Sequence, residues 1–126
     1  MNSQLRMLIV EDSENDLLLL LRELRRGGYV LDYVRVETAG EMQAALDRQT
    51  WDIVIADYTL PRFSAPAALQ LLQQQQQDLP FIIVSGTIGE ETAVAAMKAG
   101  AHDYLLKDNL ARLGFQVHPR IIFING

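Results

Sequence analysis

Short apolar runs alternate with helical patterns along this chain at a regular beat. Residues 7–10, 33–36, 53–56, 81–84 and 104–106 read as five short strands, the second to fourth rich in β-branched residues. The runs at 53–56 and 81–84 are apolar on consecutive positions. Strands apolar on both faces belong in the middle of a parallel sheet, between two layers of helices. Between the strands, Leu17, Leu20, Leu21 and Leu24 repeat at i, i+3, i+4, i+7, which predicts a helix over 15–26 ended by Gly27-Gly28. Thr38 with Glu41 three residues on predicts a capped second helix carrying Met42, Ala45 and Leu46. Ser64 and Pro66 open a third through Leu69 and Leu72, and Glu90-Glu91 open a fourth that Gly100 closes. Strand–helix alternation with short connections requires parallel pairing through right-handed crossovers. The expectation is an α/β, doubly wound sheet.

Two stretches break the beat. Residues 73–77 are five glutamines, read as a solvated helix end. From Gly114 the pattern changes: Gly114, His118 and Pro119 do not suit a helix, and residues 121–124 have the composition of a strand. The expected organisation is one domain over 1–113 with an atypical or truncated fifth helix, followed by a tail over 114–126. Composition agrees with a single domain. The chain has 126 residues, 49% hydrophobic and 21% charged, enough for a core and unlike a disordered or low-complexity chain. Sixteen acidic against eleven basic residues give a net charge of -5, which disfavours nucleic acid as a partner of this chain. The absence of cysteine excludes disulfides and thiolate chemistry and fits a reducing compartment. No apolar run approaches the roughly 20 residues of a membrane helix, and no leader pattern opens the sequence. A cytoplasmic protein with no membrane partner is expected.

In an open parallel sheet, ligands bind at the carboxyl ends of the strands. Those ends carry Glu11-Asp12, Asp57, Ser85-Gly86 and Lys107. Three converging carboxylates repel one another and raise each other's pKa values. A divalent cation relieves that repulsion, and hard oxygen ligands without His or Cys favour Mg²⁺. Acids at strand ends can also merely cap the helices that follow. Lys107 adds a second argument, because the chain holds nine Arg and two Lys. A compact ammonium can pair with a carboxylate and then serve a phosphoryl group as a point charge.

Glu11-Asp12, Asp57-Tyr-Thr-Leu-Pro61, Val84-Ser-Gly-Thr87 and Gly100-Ala-His-Asp-Tyr-Leu-Leu-Lys107 resemble, in this order and spacing, the response-regulator receiver domain of two-component signalling. The stretch from Ser85 to Glu91 is similar to receivers attached to sensor kinases and other multidomain signalling proteins. The resemblance implies a flavodoxin-like five-stranded parallel sheet in the order 2-1-3-4-5. It implies that Asp57 accepts a phosphoryl group from a histidine kinase or a histidine phosphotransfer protein, and that catalysis goes no further than the domain's own phosphorylation and dephosphorylation. Asp12, Asp57 and the backbone carbonyl of Thr59 would ligate Mg²⁺, with Glu11 acting through water. Ser85 and Lys107 would hold phosphoryl oxygens, and Tyr104 would be the aromatic switch that follows Ser85. The sequence departs from the family at three places. Ala65-Pro66 stands where a glycine is common, and the fifth helix is abandoned past Leu113. Asp108 follows the lysine where proline is usual; a cis Lys107–Asp108 bond would cost about 3 kcal/mol, so trans is the expectation.

Leu18 and Leu19 exceed what the inward stripe of the first helix needs, and are expected to dock a histidine-bearing partner. The fourth helix, fifth strand and tail are expected to make a homodimer. Rival readings are weaker. A dehalogenase-type Mg²⁺-dependent phosphatase acting through Asp57 would want an acid at Thr59. A flavin or nucleotide binder would want a longer phosphate loop than residues 86–89. A receiver-like interaction module that is never phosphorylated remains as the alternative.

Overall fold

The computed structural model describes residues 3–58, 63–86 and 89–107. The chain runs β1 (Ser3–Val10), α1 (Glu14–Arg26), β2 (Tyr29–Val36), α2 (Ala39–Arg48), β3 (Ile53–Asp57), α3 (Ala65–Gln74), β4 (Phe81–Ser85), α4 (Glu90–Ala99) and β5 (Asp103–Leu106). All neighbouring strands are parallel, in the order β2-β1-β3-β4-β5. This is the flavodoxin-like topology, with its switch point between β1 and β3. Consecutive apolar residues do what was expected of them: β3 and β4 are buried at every position. β1 and β2 are longer than their apolar runs because they pair from Ser3↔Tyr29 onward. In those first turns of the ladder only alternate residues face the core, as with exposed Gln4 and buried Leu5.

Each face of the sheet has its own apolar layer. Leu17, Leu20, Leu21 and Leu24 of α1 pack on Met7, Ile9, Ile53, Ile55, Ile82 and Val84. On the other face, Met42, Ala45 and Leu46 of α2 and Ala68, Leu69 and Leu72 of α3 pack on Leu8, Val10, Val54, Ala56 and Ile83. Leu21 is 1% exposed. Leu21→Ala should cost about 2–5 kcal/mol in urea unfolding, the range for a large buried aliphatic cut to Ala. A loss under 1 kcal/mol (about the value of a surface change) would contradict this packing.

Local signals fix the helix ends. Ser13 Oγ accepts from the Asp16 N–H at 3.2 Å, Thr38 Oγ1 from the Glu41 N–H at 3.1 Å, and Ser64 Oγ from the Ala67 N–H at 3.3 Å. Glu41 Oε1 in turn accepts from the Glu37 N–H, one residue before the cap, at 2.8 Å. Gly100 ends α4 at φ +116°, where a Cβ would lie 2.7 Å from Gln73 Nε2. The glutamine tract is exposed but also bonded: Gln73 Nε2 donates to the Ala99 carbonyl and Gln75 Nε2 to Gln43 Oε1, each at 2.8 Å. At the end of β3 away from Asp57, Asp52 accepts from the Arg6 N–H at 2.8 Å and pairs with the Arg6 guanidinium at 3.2 Å. Thr50 Oγ1 takes a further bond from Arg6 Nη1 at 2.7 Å. Thr59, the Lys107–Asp108 bond, the fifth helix and the tail over 114–126 lie outside the described residues.

Candidate phosphoacceptor and metal site

Strand alternation decides which side chains meet at the rim. Met7 and Ile9 of β1, Ile53 and Ile55 of β3 and Leu105 of β5 face α1. Two residues further along each strand direction come Glu11, Asp57 and Lys107, on that same face. Ser85 and Tyr104 have the parity of Ile83, which belongs to the opposite layer, and Tyr104 packs against that layer.

The three α1-side residues are in contact. Lys107 Nζ donates to Asp57 Oδ2 at 2.7 Å and to Glu11 Oε1 at 3.4 Å, and it also bonds Asp16 Oδ2. Asp16 is the site residue that sequence reasoning passed over. It stands four residues after Asp12, on the first turn of α1, where an acid also answers the helix dipole; that ordinary role hid the other one. Glu11 and Asp57 are buried, Asp12 is exposed, and the carboxylates of all three bring one oxygen each within 4.8 Å of the others.

Burial pushes the Glu11 carboxyl up to about 8, the neighbouring Asp57 carboxylate adds to the shift, and the Lys107 ammonium works against it. For Lys107, burial acts to lower the pKa, but Asp16, Asp57 and Glu11 outweigh it and hold it above its ordinary value. One ammonium therefore serves Glu11, Asp16 and Asp57, with Asp12 beside two of them. Glu11 Oε2 is buried without a hydrogen-bond partner. A buried acceptor left unpaired beside two further acids is the arrangement a hard cation satisfies. The three carboxylates form a metal-coordinating site of the kind that binds Mg²⁺ in receiver domains.

Around this centre, Ser85 ends β4 buried. Tyr104 is half-buried, its ring 6.2 Å from that of Tyr58 and tilted by 51°. Leu18 and Leu19 are 54% and 48% exposed. Leu19 lines a small cleft at the rim with Asp16, Leu20, Val84 and Lys107. Among the described residues, no helix is long and apolar enough to cross a membrane.

A doubly wound parallel sheet with an acid cluster and a lysine on its carboxyl rim defines a class of protein, the phosphoacceptor switches that work with Mg²⁺. The model for the response regulator receiver domain matches residues 7–115, and the chain belongs to that family. It is a signalling switch controlled by phosphorylation. The response regulator protein PilR of Pseudomonas aeruginosa is 34% identical over 106 residues, covering 83% of this chain and 24% of PilR. A signal receiver domain from Vibrio parahaemolyticus superposes with a TM-score of 0.84 at 27% identity, over 97% of this chain and 93% of that one. The receiver domain of the Francisella response regulator 1452 shares the fold, with a TM-score of 0.82 at 20% identity over 95% and 98% of the two chains. The chain spans about a quarter of the length of the curated relative PilR.

Proposed function

We propose that Asp57 is the phosphoacceptor, taking its phosphoryl group from a phosphohistidine on a histidine kinase or a phosphotransfer protein. The observation that carries this reading is the Asp57 carboxylate at the end of β3, held 2.7 Å from Lys107 Nζ inside the acid cluster. An Asp57 oxygen attacks phosphorus, the bond from phosphorus to the imidazole nitrogen breaks, and the histidine leaves with the bonding pair and then takes up a proton. Little covalent help is needed; the work is positioning and charge neutralisation. Asp12, Asp57 and the Thr59 carbonyl would hold the metal, with Glu11 acting through water. The chemistry a divalent cation supplies there is neutralisation of the phosphoryl oxygens. Lys107 exchanges a carboxylate partner for a phosphoryl oxygen, and the Ser85 hydroxyl donates to another.

Ser85 and Tyr104 share a face of the sheet, so a Ser85 drawn toward the phosphoryl group frees space into which Tyr104 can turn. The receiver unit is taken to run through residue 113, with 114–126 as a separate tail. Exposed Val94 and Met97 on α4 support self-association of the chain through that face.

Incubation with Mg²⁺ and acetyl phosphate should add one phosphoryl group, read by intact mass, and Asp57→Asn should abolish it. Labelling that survives Asp57→Asn puts the phosphoryl group on another residue and sinks this reading; no labelling of the parent chain sinks it too, and favours an interaction module that is never phosphorylated. Partner docking falls to Leu18 and Leu19, both exposed on α1, the second of them at the rim. Changing both to Gln should slow transfer from a cognate phosphohistidine donor by about tenfold, the scale of a lost apolar anchor, and leave acetyl phosphate labelling intact. Equal loss in both assays would mean damage to the fold.

A further inference from the structure

The three carboxylates that Lys107 reaches are not equivalent. Glu11 and Asp57 belong, with Asp12, to the metal-coordinating cluster, and Asp16 does not. Asp16 is fixed on the first turn of α1 through its N–H to Ser13 Oγ, and its side chain is 32% exposed. Lys107 and Asp16 meet in a cleft whose other walls are Leu19, Leu20 and Val84. Apolar walls on the lysine stem limit where its ammonium can go.

A divalent cation and an ammonium compete for the same oxygens and repel each other. Three carboxylates against a divalent cation leave a single negative charge spread over three groups, whereas Asp16 offers a whole charge at one place. We propose that Asp16 is a positioning residue. It holds the Lys107 ammonium at the rim when Glu11 and Asp57 are given over to the metal. Nζ then stays within reach of a phosphoryl group arriving at Asp57. This rests on the reading of Asp57 and Lys107 given above, and assigns to α1 a part in the chemistry besides its packing.

The test compares the full chain, Asp16→Asn, Lys107→Met and the double variant. Mg²⁺ affinity is read by calorimetry and thermal shift, and the labelling rate is followed against acetyl phosphate concentration. Asp16→Asn should raise the acetyl phosphate needed for half-maximal rate by about fivefold, the scale of a half-buried ion pair, with the saturating rate nearly unchanged. It should weaken Mg²⁺ by a similar factor, because the ammonium falls back on Glu11 and Asp57. Asp16→Glu, which keeps the charge, should restore both midpoints to within about twofold. In the Lys107→Met background the Asp16→Asn effects should shrink below about twofold, the signature of coupling between the two side chains. The same fold-changes with and without Lys107 would overturn the inference, since Asp16 would then act through its own charge. Labelling indifferent to Lys107→Met would overturn instead the role given to Lys107 on which the inference rests.

Discussion

Lys107→Met should destabilise the metal-free protein by about 3 kcal/mol, the low end of the range for removing one partner of a buried ion pair. The reason is the company the ammonium keeps. Glu11 and Asp57 are buried, and Lys107 bonds both, together with Asp16. Without it, carboxylates would crowd the rim with no cation among them. The loss stays at the low end because Glu11, already pushed up to about 8, can keep its proton. Millimolar Mg²⁺ should recover most of the difference, since it binds the folded rim and supplies the missing positive charge. Urea unfolding in EDTA and again in Mg²⁺ measures both quantities. A deficit of the same size in the two conditions would mean that Lys107 matters for packing, and that the cluster does not share its charge with a metal.

The second large effect is on pH. The Glu11 carboxyl titrates near 8 in the folded protein against 4.5 as its ordinary value. Between those values the folded, metal-free chain holds a proton that the unfolded chain has lost. Stability from this group is therefore fully present below the ordinary value and falls as pH rises through 8. A metal that draws on the Glu11 carboxylate must displace that proton. Mg²⁺ affinity should accordingly rise with pH up to about 8, by at most about tenfold per unit, with up to one proton released per ion near neutrality. Calorimetry in two buffers of different ionisation heat counts the proton, and Glu11→Gln should abolish both the release and the slope. An affinity unchanged between pH 6 and 8, where this linkage allows roughly a hundredfold, would mean that Glu11 takes no part in holding the metal.

Much of this was legible in the residues, and the reasons differ by element. β3 and β4 announce themselves because a strand buried on both faces leaves an unbroken apolar run. Thr38 and Ser64 mark helix starts because a short side-chain oxygen has one useful partner there. The first halves of β1 and β2 were invisible, since a ladder edge needs only every second residue to be apolar. Glu11, Asp57 and Lys107 could be grouped because topology sends all carboxyl ends to one rim. Asp16 could not, because its link to Lys107 crosses from a helix to a strand 91 residues away, and sequence spacing carries no trace of it. The inter-helix bonds of Gln73 and Gln75 were hidden for the same reason.

The clamp of Arg6 on Asp52 and Thr50 has a consequence for how the domain divides its labour. It fastens β1 to β3 at the pole opposite Asp57, where no acid of the rim is within the same ladder position. From that clamp the ladder between the two strands runs on through Val10↔Ala56, the last pair before Glu11 and Asp57. The clamp lies at one end of the pair, and the mutual repulsion of the carboxylates lies at the other. Charge arriving at the rim acts beyond the last paired residues, while clamp and ladder hold register. Changes at the clamp would set how stable the domain is, and changes at the rim how it signals, with little exchange between the two.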